Sequence, residues 1–141
     1  MPVHSQIMIH HQYESLPSPA AALQKMGKKI LKKENVPTGR TVSVVLCSDY
    51  MIKKLNTTYR KKEKATDVLS FCFDDDDFLG EIYISLQRAK VQARRFGLTY
   101  DDEVLRLFVH GMIHLLGYDH IKEKDRIIME AKEKQYFDVE D

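Results

Sequence analysis

Val68-Leu69-Ser70-Phe71-Cys72-Phe73 and Gly80-Glu81-Ile82-Tyr83-Ile84-Ser85 are two short runs of aliphatic and aromatic residues, separated by a loop that begins with Asp74–Asp77. Both read as strands. A parallel connection needs about a dozen residues or more, usually a helix, and the loop here is shorter, so the two strands form an antiparallel pair. Outward from the pair, Thr41–Cys47 is β-branched and apolar and reads as a central strand, and Gln6–His10 alternates, with Ile7 and Ile9 on one face. Between them Ser18 is placed as N-cap and Pro19 as first residue of a helix carrying Leu23, Met26, Ile30 and Lys33 at helical spacing, which Pro37 and Gly39 follow as breakers. Ser48 caps a second helix with Ile52, Leu55 and Tyr59 on one side.

On the other side of the pair, Ser85 caps a helix through Ala89, Ala93 and Phe96 that Gly97 ends. Thr99-Tyr100-Asp101-Asp102 resembles a capping box and opens a helix over residues 100–116, apolar on most sides and therefore expected to be buried. A polar last helix covers residues 122–137. The order β-α-β-α-β-β-α-α-α predicts an α+β fold, with one sheet of about four strands packed with about five helices. Residues 1–141 read as a single domain.

The composition is 43% apolar, enough for a core without disulfides. Cys47 and Cys72 are far apart, each beside apolar residues, and read as reduced core thiols. No basic segment followed by an apolar run marks a signal peptide, and no apolar stretch has membrane length, so the expectation is a cytoplasmic protein with no membrane partner. The net charge of +1 conceals an uneven distribution: residues 21–64 hold twelve lysines and arginines against three acids, while residues 96–141 hold eleven acids against six bases. The basic part could meet RNA phosphates, although solvated helix faces give the same pattern.

The strongest chemical feature is His110-Gly111-Met112-Ile113-His114-Leu115-Leu116-Gly117-Tyr118-Asp119-His120. Histidines four apart lie on one helix face with Cβ atoms roughly 5–6 Å apart, and both rings can reach one ion at about 2.0–2.1 Å. Gly117 ends the helix and lets His120 approach from the side. Three imidazoles with an open fourth position describe a catalytic zinc site, one Zn2+ per chain, on a zincin-like metal helix. A pair of core histidines bonded to carbonyls is the plainer alternative, and the third histidine counts against it. His4, His10 and His11 show no such spacing. The metzincin proteases share this spacing but carry Glu after the first histidine as general base; Gly111 cannot serve, so peptide hydrolysis by that route is disfavoured.

HGMIHLLGYDH resembles the signature of the YbeY family of rRNA maturation endoribonucleases. So do the upstream blocks Leu55-Asn56-Thr57-Thr58-Tyr59-Arg60 and Thr66-Asp67-Val68-Leu69-Ser70-Phe71, and Gly80-Glu81-Ile82-Tyr83-Ile84. The resemblance runs from about residue 42 to 130. It implies an α+β fold, zinc on His110, His114 and His120, Arg60 as the functional arginine, and a cytoplasmic location. The implied activity is single-strand-specific, zinc-dependent endoribonucleolysis in the maturation of the 16S rRNA 3′ end and in ribosome quality control. Ribosomal RNA and the small ribosomal subunit are the implied partners. Ala65 and Cys72 stand where the family usually has proline.

Zinc can polarise a phosphoryl oxygen, and a guanidinium suits the charge on a phosphodiester transition state. Arg60, beside a lysine-rich loop, fits that role, and a surface arginine at a helix end is its plain alternative. Asp67 either fixes a loop or histidine or begins a strand. Ser70 lies near the strand facing the site. Glu103, two turns before His110, either orients a ligand or favours the helix start. Asp119 is a candidate base or a surface residue, and the general base stays unassigned. Gly111 either leaves room beside the metal or allows close packing on the sheet. The competing functions are a zinc-stabilised ribosome-assembly or RNA-binding factor without nuclease activity and a zinc metallohydrolase of peptides.

Overall fold

A computed structural model describes residues 6–60, 66–73, 75, 77–118 and 123–138. Its elements are β1 (Gln6–His11), α1 (Ala20–Lys33), β2 (Thr41–Cys47), α2 (Asp49–Arg60), β3 (Val68–Cys72), β4 (Phe78–Ser85), α3 (Leu86–Phe96), α4 (Tyr100–Leu115) and α5 (Glu123–Asp138). The fold is α+β, with one mixed four-stranded sheet in the order β1-β2-β4-β3. β1 and β4 both run parallel to β2, and β3 runs antiparallel to β4 with Ser70 opposite Ile82.

The two faces of the sheet divide the core. Val42, Val44 and Leu46 of β2 and Ile82 and Ile84 of β4 pack with Leu23 and Ile30 of α1 and with Phe108 and Met112 of α4. The alternate residues Val45, Cys47 and Leu69 pack with Ile52 of α2 in a smaller cluster. This is the period of two expected of strands covered on both sides. α4 is the central helix: ten of its residues are buried, and it contacts α1, α3, α5, β3 and β4.

Local signals place most helix ends. Ser48 Oγ accepts from Met51 N at 3.1 Å, Ser85 Oγ from Arg88 N at 3.2 Å, and Thr99 Oγ1 from Asp102 N at 3.1 Å. Gly97 closes α3 in the left-handed region with φ 69°. α4 ends at a second left-handed glycine, Gly117, φ 100°. There Tyr118 N donates to Ile113 O and Gly117 N to His114 O, the paired bonds of a Schellman turn.

Three expectations change. Ser18 does not cap α1: the helix begins at Ala20 with Pro19 in the N-cap position, and Ser18 Oγ is buried with no hydrogen-bond partner among the described residues. Lys33 is exposed, and Leu31 takes the buried place beside Ile30. Cys72 is an exposed thiol, because β3 is an edge strand and Cys72 is its last residue; Cys47 is buried, and desolvation pushes its thiol up to about 12. No helix among the described residues is long and apolar enough to cross a membrane.

Candidate metal centre

α4 is buried along most of its length, and the exceptions are ordered. Beyond the solvent-facing first turn, Arg106, His110 and His114 are half-buried while Leu105, Leu107, Phe108, Val109, Gly111, Met112, Ile113 and Leu115 are buried. Positions 106, 110 and 114 recur every four residues, so one stripe of the helix opens to solvent and carries a guanidinium and two imidazoles. The packing that buries the rest of α4 fixes the direction of this stripe.

Gly111, next to the stripe, packs against the sheet. A β-carbon placed on it would stand 2.7 Å from Ile82 Cγ2 and 3.1 Å from Ser70 Oγ. Ser70 Oγ also donates to the Gly111 carbonyl at 3.3 Å. Close approach of helix to sheet therefore accounts for the glycine. The same geometry denies position 111 any side chain that could act as a base at the stripe.

The half-exposed side chains are held from behind. The Nδ1 of His110 is hydrogen-bonded to Glu133 Oε1 of α5. A carboxylate oxygen is an acceptor, so this contact suits an imidazole protonated on Nδ1. Arg106 donates from Nε and Nη2 to the two oxygens of Glu103, at 2.7 and 2.8 Å. Glu103 is fully buried, and its hydrogen bonds are the largest cause raising the Arg106 pKa, against the effect of burial; Asp67 and Glu133 act in the same direction through their charge. Glu103 is thus a partner of Arg106 as well as one of the acids in the first turn of α4. Asp67 accepts from Gln92 Nε2 at 3.2 Å and from Thr66 Oγ1, while its carbonyl accepts from Ser85 N, so it joins the start of β3 to α3.

A second carboxylate organises the neighbouring turn. Glu34, the C-cap residue of α1, accepts from Tyr118 Oη at 2.9 Å, Tyr136 Oη at 2.7 Å and Lys132 Nζ at 3.1 Å. Burial raises its pKa, but the bonds from Tyr136, Tyr118 and Lys132 outweigh that and leave it below the usual carboxylate value. A carboxylate at a helix C-terminus is unfavourable by itself, and these donors compensate.

Of the expected ligands, His110 and His114 stand one turn apart on the open stripe; the third, His120, and the candidate base Asp119 lie outside the described residues. Among the described residues no group of three potential ligands converges. The donor chemistry nevertheless fits a metal: two adjacent imidazoles at a solvent-facing helix stripe, one with its far nitrogen held by a carboxylate. Arg60 is the last residue of α2. Arg106 could have been found in the sequence as the residue four before His110; Glu34 and Glu133 leave no local signal.

Fold and stripe together define an α+β protein with a zincin-like histidine helix. A family model described as Endoribonuclease YbeY matches residues 7–139. Similar proteins, each named Endoribonuclease YbeY, include one from Sulfurihydrogenibium sp., 39% identical over 140 residues, covering 95% of this chain and 91% of that protein. Another, from Finegoldia magna, is 49% identical over 98 residues, which span 66% of this chain and 64% of that protein. A solution structure from Thermotoga maritima superposes with a TM-score of 0.64 at 32% identity, covering 92% of this chain and 85% of that one. The chain belongs to the YbeY family.

Proposed function

We propose that this chain is a zinc-dependent endoribonuclease of ribosomal RNA maturation, acting on single-stranded RNA with the metal held by His110, His114 and His120. The observation that carries the reading is the open stripe of α4, where imidazoles one turn apart interrupt an otherwise buried helix. Burial on every other side holds these ligands at low entropic cost, which a catalytic constellation requires. The relatives named as endoribonucleases support the reaction class.

A bound zinc supplies Lewis acidity toward a phosphoryl oxygen. Arg60 donates hydrogen bonds to the non-bridging oxygens of the phosphate being cut, where charge accumulates. Exposed Lys53 and Lys54 of the same helix add sequence-independent attraction for the RNA backbone. Peptide hydrolysis is disfavoured because Gly111 faces Ile82 and Ser70. The biological substrate in this reading is the 3′ end of 16S rRNA on the small ribosomal subunit, in cytoplasmic maturation and ribosome quality control.

Elemental analysis and RNA cleavage test this together. The wild type is expected to carry about one zinc per chain and to cut single-stranded RNA until a chelator is added. His114→Ala should lose both metal and cleavage. Retention of full metal by folded His114→Ala would remove the site. Binding of RNA without chelator-sensitive cleavage would replace the nuclease by an assembly factor.

A further inference from the structure

The last helix is the least interpretable part of the sequence. Residues 123–138 lack a continuous apolar stripe, yet Met129 and Tyr136 are buried. Met129, Lys132, Glu133 and Tyr136 are spaced as one helix face. Half of that face is a clamp: Lys132 and Tyr136 both donate to Glu34. The clamp fixes α5 in rotation as well as position, because its two donors lie one turn apart on the helix and meet one carboxylate. Glu133, flanked by them, is thereby set against Nδ1 of His110.

We propose that Glu133 is the positioning residue of the metal centre, holding His110 as its Nδ1–H tautomer so that Nε2 is the ligand atom, with the Glu34 clamp setting Glu133 in place. This rests on the metal reading above. Among the described residues the other nearby carboxylates are engaged: Glu103 accepts from Arg106 with both oxygens, and Asp67 accepts from Gln92 and Thr66. A neutral imidazole in water favours the proton on Nε2, which would block that nitrogen as a ligand. The carboxylate reverses that preference, restricts ring rotation and makes Nε2 a stronger donor. The side chain of Glu133 is 21% exposed, so the contact is shielded without being sealed.

The test compares wild type, Glu133→Gln, Glu133→Ala and His114→Ala, each checked for folding by circular dichroism. Two readouts apply. The first is Zn2+ affinity by competition with a chromophoric chelator. The second is the tautomer of His110 in metal-free protein, from long-range 15N–1H correlation spectra. Wild type is expected to show His110 protonated on Nδ1. Glu133→Ala should shift His110 toward the Nε2–H form and weaken Zn2+ roughly 10–100-fold. Glu133→Gln keeps an acceptor of the same size and should hold the tautomer with a smaller loss of affinity. An Nε2–H tautomer in the wild type, or wild-type tautomer and affinity in Glu133→Ala, would overturn the proposal. The metal reading fails separately, if wild type and His114→Ala both leave Zn2+ with the chelator; with His114→Ala impaired and Glu133→Ala unchanged, the metal site stands and the role of Glu133 falls.

Discussion

Gly111→Ala sets a local gain against a tertiary cost, and the geometry decides between them. Alanine in a helix interior is favoured over glycine by about 1 kcal/mol. The added methyl would sit 2.7 Å from Ile82 Cγ2, 3.1 Å from Ser70 Oγ and 3.3 Å from Ile82 Cδ1. Ile82 is fully buried in the central strand β4, and its β-branched side chain has little freedom to turn away. Relief therefore requires α4 to lift off the sheet by several tenths of an ångström. Overpacking of this kind costs about 1–3 kcal/mol, so the net effect is a destabilisation of roughly 1 kcal/mol, or about 3 °C in Tm for a chain of this size. Urea denaturation measures it. A double-mutant cycle identifies the cause: Ile82→Ala removes both clashing carbons, and Gly111→Ala should then cost at least about 1 kcal/mol less. A Gly111→Ala variant as stable as the wild type, with no coupling to Ile82, would refute the packing argument and reopen the idea that this glycine leaves space for substrate.

Glu34→Gln should lower stability by about 1–3 kcal/mol at neutral pH, since the charged acceptor of three donors becomes a neutral amide. The folded pKa of Glu34 is lowered, so its contribution is complete above the ordinary carboxylate value of 4.5 and is lost as the pH falls through the lower folded value. The stability gap between wild type and variant should therefore close on acidification below about pH 4.5, and a gap independent of pH would disprove a role for the charge. Arg60→Ala should slow RNA cleavage about 10²–10³-fold in a folded, zinc-loaded protein, with lysine a poor substitute for the planar fork; wild-type rates would remove Arg60 from the mechanism. Ser85→Ala should cost about 1–2 kcal/mol in thermal denaturation, because Ser85 Oγ caps α3 and donates to Asp49 at 3.3 Å.

The sequence by itself determined what depends on neighbours along the chain. Most elements before the last helix were legible from periodicity and punctuation: the caps at Ser48, Ser85 and Thr99, the stops at Gly97 and Gly117, and the antiparallel pair forced by a short loop. The spacing of His110 and His114 was legible for the same reason, since a helical turn is a local object. Pro19 shows the limit of local reading, because a serine–proline pair fits a helix start in two registers. Tertiary structure decided the rest. The place of β4 between β2 and β3, the exposure of Cys72 at a sheet edge and the packing reason for Gly111 follow from which surfaces meet. Glu34 meets Tyr118 and Tyr136 across 84 and 102 residues of sequence, and Glu133 meets His110 across 23. Hydrogen bonds of that span impose no period on the chain, so one polar residue in a polar helix looks like another until the fold brings its partner to it.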